Sequence, residues 1–428
     1  MRHRANVFRY VGLDVTDDTL IGHYELDHHT FTETVTFENV GSLQSPAIIA
    51  VAQLWYLIAG LSYYKAGAAK EIDVGSTPLG IKGRALLHAA LHDGLGEFAV
   101  HNDIPLDDVV IVGGADFTHD ETIVDSSRVL IPFGGGIDSV VTVAELAGIV
   151  ERTLFIVSPS RGRFAPLEET AEVTGLDVVR ATRTIDAQII NNDAQFLSGH
   201  VPVTAMVTLL AVIGALASGR GGVAMSNEHS SSQPNLRWRE ADINHQWSKS
   251  WDAEQLIADA IRERIGNDFV VASYLRDRSE LWVAKVFSQL ANYHHVFRSC
   301  NRAFNQVREL RASGWCGTCD KCLFVNLVLA PFLSRRALRE IFSSEPLSDP
   351  DRVEQLRILI GIGLDHKPFE CVGDPDESAV ALTAVSELGE WSDVPWLEEL
   401  ARLVNPGHSF QELLEPQGPS RVPAHWLR

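Results

Sequence analysis

A chain of 428 residues is too long for one ordinary hydrophobic core, so two or three packed modules are expected. Hydrophobic residues at 45% against 21% charged give a globular profile with no bias toward disorder. A formal net charge of -20 excludes a general binder of nucleic acid or anionic membrane, and an anionic small substrate needs local compensation from Arg, Lys, a metal ion or a helix N-terminus.

The first dozen residues carry Arg2, Arg4 and Arg9 but no apolar run, so no secretory signal is expected and the compartment reads as the cytoplasm. Residues 30–40 (TFTETVTFENV) alternate as a half-exposed antiparallel strand does. Pro46 then opens an apolar helix, with Ile48, Val51, Ala52 and Trp55 at helical spacing. Residues 107–113 (DDVVIVG) read as another strand. Residues 1–124 thus form an α+β module without recognisable chemistry of its own.

From Val129 the pattern changes. Residues 129–133 are an apolar strand, then come Gly134-Gly135-Gly136 and Ile137-Asp138-Ser139, which lead into a helix reaching Ile149. Strands follow at 153–158 (TLFIVS), 176–180 (LDVVR) and 222–226 (GVAMS). Before the last of these, residues 201–217 (VPVTAMVTLLAVIGALA) carry no charge, but Pro202 and Gly214 interrupt them and no basic or aromatic anchors flank them. A buried helix is expected there, not a membrane span. Strands alternating with helices predict an α/β fold with a parallel sheet covered on both faces. Right-handed crossovers bring the glycine loop, Ser158 and Asn227-Glu228 to one edge of that sheet. The last 130 or so residues read as mainly helical, ending in an irregular, partly ordered Pro-rich tail (EPQGPSRVPAHWLR).

Strand, GGGIDS and helix together make a phosphate-holding arrangement. Glycines let backbone N–H groups turn inward, the helix N-terminus adds partial positive charge, and Ser139 can donate a hydroxyl. Asp138 cannot attract phosphate itself, so its carboxylate points to a bridging Mg2+. A Walker loop would end in GK[ST] and a dinucleotide loop would read GxGxxG; neither pattern is present. A second polar constellation comprises Asn227, Glu228 and His229, then Asn235, Arg237 and Arg239, then NHQWSKS with His245 and Lys249. Such a cluster at the C-terminal edge of a parallel sheet suits substrate contact.

The five cysteines are an odd number, and three are bunched at x2 spacing, which suits metal or redox chemistry better than a secreted disulfide framework. Cys300, Cys316, Cys319 and Cys322 give C-x15-C-x2-C-x2-C, a set able to close a tetrahedral Zn2+ site, with a packed or redox role as the alternative. Cys371 stands apart and reads as a small core residue or a nucleophile. The pairs His28-His29 and His294-His295 lack ligand spacing.

GGGIDS resembles the SGGxDS loop of the PP-loop ATP pyrophosphatase superfamily, with Gly134 where that loop carries Ser. Taken with SCNRAF (299–304), WCGTCDKCLFVNLVLAPFL (315–333), KPFECVG (367–373) and NHQWSKS, it resembles the UDP-N-acetyl-α-D-muramoyl-L-alanyl-L-glutamate epimerase family. That resemblance implies a PP-loop domain over 125–299 and a helical, cysteine-bearing region over 300–428. It also implies ATP as co-substrate with Mg2+, and a UDP-MurNAc-dipeptide substrate in peptidoglycan precursor synthesis. Gly134, Gly135, Gly136, Ser139, Ser158 and Asn227 would then bind nucleotide together with Asp138. Asp138, Lys249, His245, Glu228 and Cys371 become the catalytic candidates, and the identity of the α-proton base stays open. Two rivals stand beside it: another PP-loop adenylating enzyme, of nucleobase or tRNA modification, and a non-catalytic nucleotide sensor.

Overall fold

The structure is a computed structural model that describes residues 4–117, 121–191, 195–303, 311–312, 314–363, 370 and 372–427. Its strands are β1 (Val7–Val15), β2 (Thr19–Leu26), β3 (His29–Glu38), β4 (Glu71–Asp73), β5 (Val110–Val112), β6 (Arg128–Pro132), β7 (Glu151–Pro159), β8 (Val178–Thr184), β9 (Gly222–Met225), β10 (Leu236–Trp238), β11 (Ala241–Ile243) and β12 (Val270–Ser273). β10 and β11 form a small hairpin, and the other ten make one sheet in the order β12-β9-β6-β7-β8-β3-β2-β1-β4-β5. The fold is mixed α/β and its sheet is mostly parallel, with antiparallel pairing confined to β8-β3, β3-β2 and β2-β1.

The central parts of the parallel strands β6, β7 and β9 are apolar because each faces two cores. Leu130, Phe155, Val179 and Val223 point into one, while Val129, Ile131, Leu154, Ile156 and Ala224 point into the other. Helices Pro46–Ala59, Val203–Ala217 and Trp251–Ile265 pack together on the first side. Helices Ile137–Glu145, Glu280–Ser288, Asp320–Leu329 and Pro375–Ser386 form the layer on the second. The segment Pro46–Tyr64 is long and apolar enough to cross a membrane, yet 83% of its apolar window lies buried in the fold. Val203–Ala217 is likewise a core helix, as its lack of anchors suggested.

Ser45 caps the first helix by accepting from the Ile48 N–H, and Pro46 occupies its first turn, where a missing donor loses nothing. The helix after the glycine loop stops at Glu145, four residues short of the sequence expectation, and Gly148 then takes a φ of 76° in the turn before β7. The segment 1–124 and the parallel strands share one sheet through β3 and β8, paired from Thr34↔Thr184 to Glu38↔Arg180. The C-terminal tail is more ordered than its composition suggests. Trp426 is fully buried, and its indole N–H donates to the Ser126 carbonyl at 2.8 Å.

Candidate active site

β6 lies in the middle of the parallel half; the chain winds outward from it through β7 and β8, then crosses back to β9 and β12. The order therefore reverses between β6 and β9, where α/β sheets form ligand crevices beyond the strand C-termini. A cavity of about 410 Å³ opens there. Residues after β6 (Phe133, Gly134, Gly136, Asp138, Ser139) and after β9 (Ser226, Asn227, Glu228) line it, joined by Lys249, Arg298 and Ser299. Phe155 and Val157 of β7, Leu167 and the start of the Val203–Ala217 helix supply apolar wall.

The loop geometry follows from its glycines. Gly135 has φ of 73°, a left-handed conformation that disfavours a side chain. Gly136 is extended at the N-cap of the Ile137–Glu145 helix and, as a glycine, supplies no side-chain cap. A helix N-terminus that begins at a glycine and borders a cavity suits an anionic group. Ser139 donates its hydroxyl to the Gly136 carbonyl at 3.1 Å, so in this state it braces the loop. From the other side, the Arg298 N–H donates to the Gly135 carbonyl at 3.2 Å. A Cβ added to Gly136 would stand 2.7 Å from the Ser299 hydroxyl oxygen.

Glu228 and Lys249 come from separate loops held by one buried cation that the sequence did not announce. Arg276 is 1% exposed; it pairs with Glu254 at 2.9 Å and donates to the carbonyls of Glu228 at 3.0 Å and Lys249 at 2.6 Å. Ser231 bonds the same two carbonyls. Lys249 Nζ donates to Gln246 Oε1 at 3.0 Å, and Asn227 donates to Ser273 Oγ at 3.0 Å. Beneath this floor Glu280 is wholly buried. Burial, then the charges of Glu228 and Asp138, raise its carboxyl well above the usual range.

The sequence candidates separate cleanly. Gly134, Gly136, Asp138, Ser139, Asn227, Glu228 and Lys249 line one cavity. Ser158 is buried at the end of β7 beside Val157. His245 lies in an adjoining group, its ring bonded to Glu97, with the His200 ring 4.4 Å away. Burial, then the charge of His245, brings His200 down to about 4, so it is neutral near neutral pH. Arg239 points away and pairs with Asp103 at 2.7 Å. Cys371 lies outside the described residues. Of the flanking motifs, Asn301 donates to Glu370, which brings the SCN segment against the start of ECVG. Glu97, Arg276 and Glu254 were missed because each acts through a partner distant in sequence.

Among the described residues, two groups have donor sets able to hold a metal: the four cysteine sulfurs of 300, 316, 319 and 322, and Glu97 with His200 and His245. In each, the ligand atoms lie within 4.8 Å of one another.

A mostly parallel sheet covered on both faces, with a polar cavity beyond the strand C-termini at its switch point, defines an α/β protein with a candidate ligand crevice. Comparison with known proteins narrows this. Residues 1–274 match the MurL N-terminal domain and residues 296–413 the MurL C-terminal domain, so the chain belongs to the MurL family. Proteins named UDP-N-acetyl-alpha-D-muramoyl-L-alanyl-L-glutamate epimerase are similar over nearly the whole length. That of Salinispora tropica is 37% identical over 419 residues, covering 92% of this chain and 88% of the relative. That of a Micromonospora species is 37% identical over 413 residues, covering 93% and 90%. That of Xanthomonas oryzae pv. oryzae is 33% identical over 445 residues, covering 100% and 97%.

Proposed function

We propose that this protein inverts the terminal L-glutamate of UDP-MurNAc-L-Ala-L-Glu, an intermediate of peptidoglycan synthesis, while cleaving ATP to AMP and pyrophosphate. The names of the relatives support the substrate and the inversion. The observation that carries the chemistry is the meeting of a helix N-terminus that begins at a glycine with Asp138, Glu228 and Lys249 in one cavity.

A free α-carboxylate opposes loss of the neighbouring proton, because the resulting dianion has no adequate electron sink. In the proposed reaction a carboxylate oxygen attacks the α-phosphorus of ATP, the bridging P–O bond breaks and pyrophosphate leaves. The acyl-adenylate is uncharged at the carbonyl, so its Cα–H is acidic enough for a side-chain base. Reprotonation on the other face and attack of water on the acyl carbon release D-glutamate product and AMP. The amides around Gly134–Gly136 suit the departing pyrophosphate, as the resemblance to PP-loop enzymes implies, and Lys249 suits charge developing at the α-phosphate. Asp138 and Glu228 offer hard carboxylate oxygens beside that position, a donor set that fits Mg2+, which would neutralise phosphate oxygens. Of the candidates for the α-proton base, Glu228 and Lys249 line the cavity. His245, bonded to Glu97, lies four residues before Lys249 in the sequence.

The test is pyrophosphate release from ATP and Mg2+ with the L-Glu dipeptide nucleotide, combined with chiral analysis of the glutamate. Coupled release and inversion are expected, and Asp138→Ala should abolish both. In D2O, a variant lacking the base should still release pyrophosphate while losing deuterium incorporation at Cα, with turnover down by about 10²- to 10⁴-fold; Glu228→Gln, Lys249→Met and His245→Gln are the three to compare. Pyrophosphate release without inversion would reject the epimerase and keep an adenylating enzyme. No release at all would remove both.

A further inference from the structure

We infer that Cys300, Cys316, Cys319 and Cys322 bind one zinc ion, and that this ion clamps the Arg298–Ser299 segment onto the glycine loop. The inference does not rest on the proposed reaction. All four cysteines are free thiols, and their sulfurs lie within 4.8 Å of one another. Cys319 and Cys322 are 3.4 Å apart and Cys316 and Cys322 are 3.7 Å apart. Tetrahedral zinc with Zn–S of about 2.3 Å sets neighbouring sulfurs about 3.8 Å apart. An iron–sulfur cluster would need wider spacing, because its four thiolates are divided among two or four irons.

The surroundings are those of a metal knuckle. Gly317, at φ of 69°, turns the chain between Cys316 and Cys319, and a Cβ there would meet Ser344 Oγ at 2.7 Å. Backbone N–H groups point at sulfur: Cys316 N–H donates to Cys300 Sγ and Thr318 N–H to Cys316 Sγ, both at 3.4 Å. Such outer bonds favour thiolates as ligands and fix their orientation. Cys300 and Cys322 are fully buried, with Trp315 packed against the group.

What the site joins gives it a role. Cys319 and Cys322 begin the Asp320–Leu329 helix of the C-terminal region, and Cys300 directly follows Ser299, whose hydroxyl faces Gly136. Arg298 bonds Gly135 one residue earlier. A single ion would therefore fasten the cavity wall formed by Arg298 and Ser299 to a rigid helix.

The test uses the full chain, purified under reducing conditions without a metal-affinity step. Elemental analysis should find one zinc per chain. A mercurial should release it to a chromophoric chelator, and Cys319→Ser should lower the content while far-UV circular dichroism is kept. Should that variant fail to fold, the metal content of the unmodified protein still decides. Metal-free folded protein with freely titrating thiols, or iron with labile sulfide in place of zinc, would overturn the site. Removing the ion should raise hydrogen exchange at residues 134–139 and 298–303 at least tenfold; unchanged exchange there would overturn the clamp.

Discussion

A methyl group at Gly136 has nowhere to go but into the Ser299 hydroxyl, whereas Gly134 faces open space with nothing within 4 Å of an added Cβ. The two glycines therefore predict opposite outcomes. Gly136→Ala should lower stability by about 1–3 kcal/mol through overpacking and push Ser299 from the cavity wall. Gly134→Ser should leave the unfolding midpoint unchanged or slightly raised, since its backbone suits an L-residue and the unfolded chain loses freedom. Thermal unfolding of both variants checks the pair, and equal losses would contradict the close approach of Ser299 to Gly136. Glu377 offers a second residue-scale prediction. Burial, then the charge of Asp374, pushes its carboxyl up to about 8, so the folded protein keeps it protonated where the unfolded chain ionises it. Its contribution to stability is complete below about pH 4.5 and is lost as pH rises toward about 8. Glu377→Gln should thus gain stability relative to the parent between pH 5 and pH 8, by up to a few kcal/mol. Denaturant unfolding at both values would show it, and parallel pH curves would contradict the raised carboxyl.

At the scale of elements, the joint between β3 and β8 depends on a buried pair. Glu33 is fully buried on β3 and accepts from Arg183 of β8 at 2.6 Å and from the Tyr63 hydroxyl at 2.9 Å, while Arg183 also reaches Ser62 at 3.3 Å. Removing one partner strands a buried charge, so Arg183→Met should cost about 3–5 kcal/mol, and Glu33→Gln with Arg183→Met together should cost less than the sum. A double-mutant cycle by denaturant unfolding measures this. Nothing local in the sequence foretells the joint, because alternation in residues 30–40 predicts a strand but not its partner. β6, β7 and β9 were legible for a different reason: each holds a short apolar run followed by a turn signal, as strands buried on both faces do, while β8 showed only its Val178-Val179 start. β12 was not, since its four residues VVAS follow a charged helix and lack such punctuation. The site divides the same way. Asp138, Asn227, Glu228 and Lys249 follow strand ends or sit in a polar run and could be read directly; Arg276 and Glu97 matter only through carbonyls and rings that the fold brings to them.

Across the whole molecule, the last residues close the sheet. Gly222 in β9 carries no side chain because Trp426 fills its place; a Cβ there would stand 2.6 Å from the indole ring. β9 leads directly to Ser226, Asn227 and Glu228, so the ring that covers the start of this strand also supports the position of the cavity wall at its end. The tail is tied down at two further points, where Gln417 N–H donates to the Asp277 carbonyl at 2.7 Å and Ser126 bonds His425 at 3.1 Å. Trp426→Ala removes a fully buried indole and leaves the Ser126 carbonyl without its donor, which together should cost about 3–5 kcal/mol. The loss should appear as a lower unfolding midpoint and as faster hydrogen exchange across residues 222–225 and 126–131. If Trp426→Ala unfolds at the parent's midpoint, the tail is an appendage and the sheet is complete without it. If the midpoint falls but exchange in β9 does not change, the ring supports the tail alone and contributes nothing to the wall that carries Glu228.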